Sequence, residues 1–229
     1  MTPKTLFTSL LAAAALTFAV GAQRSSATEI LQNGGFETAG ATTTGAADWT
    51  LLPGIAPGTI ATGTRTTDPT NAHSGSNYML MSVTGLNGVG GGNSQVLNST
   101  PIGSVTPGTT YTLSLYAKGA LQTSDVYNFS MNFFNAAGSS LGGVATGNSG
   151  AISSTYTNFT KTDVAPAGAS YAQVDLNLVA GAVTNTSPGT LSVDDVSVSS
   201  PGGTIPEPAT LALLGIGGVA LLRRKRVAC

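Results

Sequence analysis

Three stretches of this chain alternate apolar and polar side chains residue by residue, and that alternation decides what it can fold into. In 126–134, Tyr127, Phe129, Met131 and Phe133 fall on one side, while Asn128, Ser130 and Asn132 fall on the other. Tyr111, Leu113 and Leu115 oppose Thr112, Ser114 and Tyr116 in the same way. Ala172, Val174, Leu176 and Leu178 oppose Tyr171, Gln173, Asp175 and Asn177. A repeat of two is that of an extended strand with one dry and one wet face. Weaker strands are expected at 29–32, 49–52, 59–65, 78–83, 95–98, 156–160 and 190–199. Gly, Ser, Asn and Pro separate these stretches, and nothing between the chain ends carries a long helical repeat, so an all-β sandwich is expected.

The two ends follow a different logic. Lys4 precedes the apolar stretch 6–20, which is followed by small residues at Val20-Gly21-Ala22 and again at Ser25-Ser26-Ala27. Charged start, apolar middle and small-residue exit are the parts of a Sec signal peptide, cut after one or other of those tripeptides. At the opposite end, Ile205-Pro206-Glu207-Pro208-Ala209-Thr210 breaks any element running in from the domain, because each proline removes a donor and constrains its neighbour. The run 209–222 is apolar and contains Gly215, Gly217 and Gly218. As a helix it would reach about 21 Å, against a bilayer core of about 30 Å. Arg223, Arg224, Lys225 and Arg226 then stop it and hold that side in the cytoplasm.

This tail resembles the PEP-CTERM sorting signal, with Pro206, Glu207 and Pro208 as its motif and Ile205 where Val is usual. The resemblance implies transient anchoring in the inner membrane of a Gram-negative bacterium until an exosortase removes the tail. An ordinary single-pass anchor is the alternative. The expected organisation is a signal helix at 1–27, a sandwich domain at 28–200, a linker at 201–204 and the sorting signal, with its short apolar helix, at 205–229.

Without its ends the chain keeps three basic residues, Arg65, Lys118 and Lys161, against nine acids, Glu29, Glu37, Asp48, Asp68, Asp125, Asp163, Asp175, Asp194 and Asp195. That excess disfavours a nucleic-acid partner, which needs a basic face. Cys229, the single cysteine, lies beyond the basic block, so no disulfide staples the domain.

The last expected strand changes phase. Leu191 and Val193 are odd-numbered and Val196 and Val198 even-numbered, so the apolar side switches across Asp194-Asp195. Either the strand is buried on both faces or a β-bulge sits at the Asp pair and re-aims one carboxylate, which is the favoured reading. Two adjacent Asp with no basic neighbour in sequence are costly to bury, and a hard cation such as Ca²⁺ would resolve the cost.

Five segments occur in a suggestive order: Asn33-Gly34-Gly35-Phe36-Glu37, Trp49, His73-Ser74-Gly75-Ser76 leading into Tyr78, Pro107-Gly108-Thr109-Thr110-Tyr111, and Val193-Asp194-Asp195-Val196. Together they resemble carbohydrate-binding modules of the galactose-binding-like jelly-roll class. The resemblance implies a jelly-roll β-sandwich with a structural Ca²⁺ held by Glu37, the Ser74-Gly75 turn and Asp194 or Asp195. Sugar binding needs an aromatic platform and side-chain amides, for which Tyr116, Asn128, Asn132, Gln173 and Asn177 are the candidates, with Asp175 beside them. Trp49 is read as core rather than as a platform.

Catalysis finds little footing. His73 is the only histidine and precedes a Ser-Gly-Ser turn, and glycoside hydrolysis needs two facing carboxyls that the sequence does not pair. The segments 84–93 and 138–150 read as Gly-rich loops without the Lys and helix of a phosphate cradle. The expected protein is a non-catalytic, exosortase-processed surface or extracellular-matrix protein associated with exopolysaccharide or biofilm. The alternative is a carbohydrate-binding module with a specific glycan ligand.

Overall fold

The structure, a computed structural model, describes residues 27–42, 45–54, 59–85, 91–149, 152–181 and 188–201. The expected signal helix and sorting tail lie outside these residues. Eleven strands make up the domain: β1 Thr28–Glu29, β2 Trp49–Gly54, β3 Thr59–Thr67, β4 Asn77–Gly85, β5 Asn93–Ser99, β6 Thr110–Ala120, β7 Val126–Phe134, β8 Ser140–Ser149, β9 Thr157–Val164, β10 Tyr171–Val179 and β11 Gly189–Ser200. They pair antiparallel into two sheets, one in the order β3-β4-β11-β6-β9 with β1 added to β11, the other in the order β2-β5-β10-β7-β8. Thr28–Pro201 forms one compact unit.

The period-two alternation is what closes the sandwich. Leu113, Leu115, Met81, Val83 and Leu191 of the first sheet, and Phe129, Met131, Phe133, Leu176 and Leu178 of the second, are all fully buried between the layers. Phe159 reaches in from β9 to meet Phe129 edge-on at 5.3 Å. The strand β8 corrects the expectation of a loop at 138–150. Gly142, Gly143 and Gly147 erase its side-chain alternation, yet its backbone pairs with β7 from Val126 to Phe134. A free sheet edge supplies the hydrogen bonds that the side chains do not announce.

The phase switch in β11 is a bulge. Its pairing with β6 shifts register between Asp194 and Ser197, and Asp195 takes a left-handed φ of 48°. The extra residue lets Leu191 and Val193 before it, and Val196 and Val198 after it, all face the core.

Phe129→Ala is expected to cost about 3–5 kcal/mol of unfolding free energy with an unchanged denaturant slope in urea melts. A loss below about 1 kcal/mol would mean that the two layers do not close over that ring.

Candidate functional site

Two polar clusters stand out, one at the bulge and one on the outer face of the second sheet. At the bulge, the fully buried Asp194 aims Oδ2 at the turn before β4, where the backbone N–H groups of His73 and Ser74 donate to it at 2.8 and 3.1 Å. Its Oδ1 accepts the N–H of Asp195 at 2.7 Å. Asp195 reaches the same turn: Ser74 Oγ donates to its Oδ1, and His73 Nδ1 lies 2.6 Å from its Oδ2, so Nδ1 carries the proton. Both carboxylates therefore serve one turn, where an unbulged strand would send them to opposite faces. The carboxylate of Glu37 closes the cluster from the N-terminal loop. Its Oε1 accepts from the backbone of Ser76 and Asn77 at 2.8 and 3.0 Å, and its Oε2 accepts from the Asn77 amide.

Close approach makes two glycines necessary here. A Cβ on Gly34 would sit 1.7 Å from the Val196 carbonyl oxygen, and one on Gly75, at φ 59°, would sit 2.1 Å from Glu37 Oε1. Arg65 secures the loop by donating to the carbonyls of Phe36 and Glu37 at 2.7 and 2.9 Å. Burial pushes the Asp194 pKa up, against the hydrogen bonds from Ser74, Asp195 and His73 that hold it down. Burial also acts to raise Glu37, but its bonds from Ser76 and Asn77 and the Arg65 charge bring it below the usual carboxylate value.

The structure thus gathers Glu37, Ser74, Gly75, Asp194 and Asp195 as expected, but not as an oxygen cage. Ca²⁺ takes six to eight oxygen ligands. Every carboxylate oxygen of Asp194 and Glu37 instead faces an N–H donor, which a cation would repel. Among the described residues no group of three or more His, Cys, Asp or Glu could hold a metal. As arranged, the residues do not fit Ca²⁺; hydrogen bonds tie the loop, the turn and the last strand together in its place.

The second cluster lies on the outer face of β7 and β10. These strands are neighbours in register, so Asn132 stands opposite Gln173, Ser130 opposite Asp175 and Asn128 opposite Asn177. On the other flank β5 brings Ser99, Leu97 and Gln95 opposite the same three β10 residues. Gln95 and Leu97 were not among the sequence candidates, although Gln95 alternates with buried Ser94 and Val96. Asp175 is the only charged residue in the five strands of this sheet. Gln95 Nε2 donates to its Oδ2 at 2.7 Å, while its Oδ1 is shut from solvent with no partner. Burial pushes its pKa up, partly offset by the Gln95 bond. At one end of the face Phe134 and Tyr171 stack at 5.2 Å and 10°.

Tyr116 does not join this face. It stands on β6 of the first sheet opposite Asp194, its ring stacked on His73 at 3.7 Å. Strand alternation assigns a side chain to a face without saying to which sheet. Trp49 is core as expected: it is 8% exposed, donates Nε1 to the Asn33 carbonyl at 2.9 Å and packs 4.9 Å from Phe36. It also lines a largely apolar cavity of about 460 Å³ with Leu51, Gly63, Met79 and Val96.

Asp194→Ala is expected to lower stability by about 3 kcal/mol, because the N–H groups of His73, Ser74 and Asp195 lose their acceptor. Thermal unfolding in EDTA and in added Ca²⁺ is expected to give the same midpoint; a midpoint that rises with Ca²⁺ would contradict the hydrogen-bonded clasp.

No curated protein matches the chain. Among solved structures, the enzymatically active domain of bacteriophage CBA120 tailspike protein 4 is similar, with TM-score 0.53 and 20% identity over 75% of this chain and 21% of that one. The arabinose-bound MgGH51 α-L-arabinofuranosidase is similar with TM-score 0.50 and 19% identity over 79% of this chain and 27% of that one. The carbohydrate-binding module TmCBM61, solved with β-1,4-galactotriose, aligns with TM-score 0.48 and 12% identity over 75% and 97% of the two chains. The chain spans about a quarter or less of the first two, and at these identities the likeness is one of fold. Residues 204–226 match the PEP-CTERM protein-sorting motif. Behind a β-sandwich of this fold, then, the chain carries a PEP-CTERM protein-sorting motif, the mark of an exported protein processed by exosortase.

Proposed function

We propose that the protein enters the Sec pathway of a Gram-negative cell, is held briefly in the inner membrane by its tail, and is released by exosortase to the surface or extracellular matrix. There its sandwich domain works without catalysis, binding a glycan chain on the outer face of the second sheet and so associating with exopolysaccharide.

One observation carries the binding reading: Asp175, the one charged side chain in the five strands of this sheet, stands half-buried with a single side-chain donor, Gln95, in the middle of a face rich in side-chain amides. A carboxylate accepts about four hydrogen bonds, so one with a single protein donor has lone pairs left for ligand hydroxyls or water. Asn128, Asn132, Gln173, Asn177 and Gln95 supply the surrounding donors and acceptors, and the Phe134–Tyr171 stack supplies an aromatic edge. The non-catalytic part rests on the same geometry. No second carboxylate shares the five strands of that sheet with Asp175, so the acid–base pair of a glycosidase is missing there.

In affinity gels containing defined polysaccharides, at least one glycan is expected to retard the protein. Asp175→Asn or Asn128→Ala should then weaken retardation at least tenfold. Retardation by no glycan would remove this reading and favour a purely structural matrix role. Asp175→Asn should also raise the thermal midpoint at pH 7 by a few degrees, because it removes a desolvated charge. The sign follows from linkage. A carboxyl whose pKa is raised by folding destabilises the ionised protein, so the gain should shrink as the pH falls through that raised pKa towards the ordinary carboxylate value. Intact mass of the released protein should lack Arg226; a mature species that retains it contradicts processing.

A further inference from the structure

Resting on the glycan reading of this face, we infer that its ligand is an uncharged chain of at least three sugar units laid lengthwise along β7 and β10. Asp175 grips adjacent hydroxyls midway, and the Phe134–Tyr171 stack takes one end.

The direction follows from where the polar groups stop. Along the strands the rows Asn132–Gln173, Ser130–Asp175 and Asn128–Asn177 succeed one another without a break. Across the strands the Asp175 row ends at Ala145 of β8 and Leu97 of β5, while the rows beside it run from β7 to Ser99 and Gln95 of β5, with Gly143 and Gly147 of β8 on the other flank. From Tyr171 to Asn177 the track measures about 20 Å at strand rise, room for roughly four pyranose rings. Across β7 and β10 the spacing is only about 5 Å. A chain crossing β7, β10 and β5 would meet polar groups over only about 10 Å, half the length of the track along β10.

The absence of charge sets the chemistry. The basic residues of the domain, Arg65, Lys118 and Lys161, all belong to strands of the opposite sheet. Arg65 is engaged with the carbonyls of Phe36 and Glu37, and Lys118 donates to the Asn71 carbonyl at 3.0 Å. No cation of the second sheet can receive a uronate or sulfate group, and Asp175 repels one. The lone pairs that Gln95 leaves open on the Asp175 carboxylate instead accept hydroxyl hydrogens, with the neighbouring amides on either side completing the pattern. Selectivity against acidic chains is thereby built in through repulsion as well as attraction.

Calorimetric titration of the purified protein tests this with linear, neutral β-1,4-linked glucose, galactose, mannose and xylose oligomers from disaccharide to hexasaccharide, and with uronate oligomers of equal length. At least one neutral series should bind, tightening by about tenfold or more between disaccharide and tetrasaccharide and then levelling off. Tyr171→Ala should reduce the tetrasaccharide to the affinity of a shorter chain, and the uronates should bind at least tenfold more weakly. Uronates binding as tightly as neutral chains would overturn the charge selection, and affinity that saturates at the disaccharide would overturn the lengthwise placement, in both cases leaving glycan binding intact. Binding by none of these oligomers would overturn the glycan reading together with this inference.

Discussion

A single buried carboxylate, that of Asp194, holds the first sheet to its register. β11 lies at the centre of that sheet, between β4 and β6, and also carries β1. It must bury Leu191 and Val193 in one phase and Val196 and Val198 in the other, and only a residue inserted at the Asp pair permits both. The insertion puts Asp195 at a left-handed φ and sinks Asp194, costs that are tolerable only because the turn at His73 and Ser74 turns its N–H groups towards the carboxylate. Gly34 lies against Val196 without a side chain, and its carbonyl accepts the Val196 N–H at 3.0 Å. The beginning of the domain, the middle turn and the final strand are thus fastened at one point.

That fastening leaves the second sheet free to be something other than structural. Its strands carry a dry inner face and, outside, amides, hydroxyls and one carboxylate. The two layers divide the charge unequally. The cations and most acids of the domain belong to the first sheet and its loops, while the second keeps Asp175 by itself. A half-buried carboxylate costs stability, which the Gln95 hydrogen bond only partly offsets. The binding role proposed for Asp175 would account for its retention at that expense.

Much of this could be read from residue order, and the exceptions have definite causes. The alternation of Tyr127, Phe129, Met131 and Phe133 with Asn128, Ser130 and Asn132 gave β7 and its wet face, and the odd-to-even switch at Asp194 gave the bulge. Four of the five proposed sugar contacts came together because β7 and β10 happen to be neighbours, an order that no local pattern encodes. Tyr116 was misplaced for the same reason, its strand lying in the other layer. β8 was hidden because glycines leave no side-chain rhythm. The acids of the clasp were legible as a group, but not that backbone N–H groups would meet them, since the direction of a turn's amides is settled only when the turn packs.

A glycan seated on the amide-rich outer face of the second sheet would lie against its side-chain amides. The most direct measurement is NMR titration of isotopically labelled protein with a retarding oligosaccharide, following the side-chain amides of Gln95, Asn128, Asn132, Gln173 and Asn177. These resonances should shift together with the backbone around Asp175. Shifts confined to the His73–Tyr116 stack or to the cavity beside Trp49, with the β7–β10 amides unmoved, would contradict that placement.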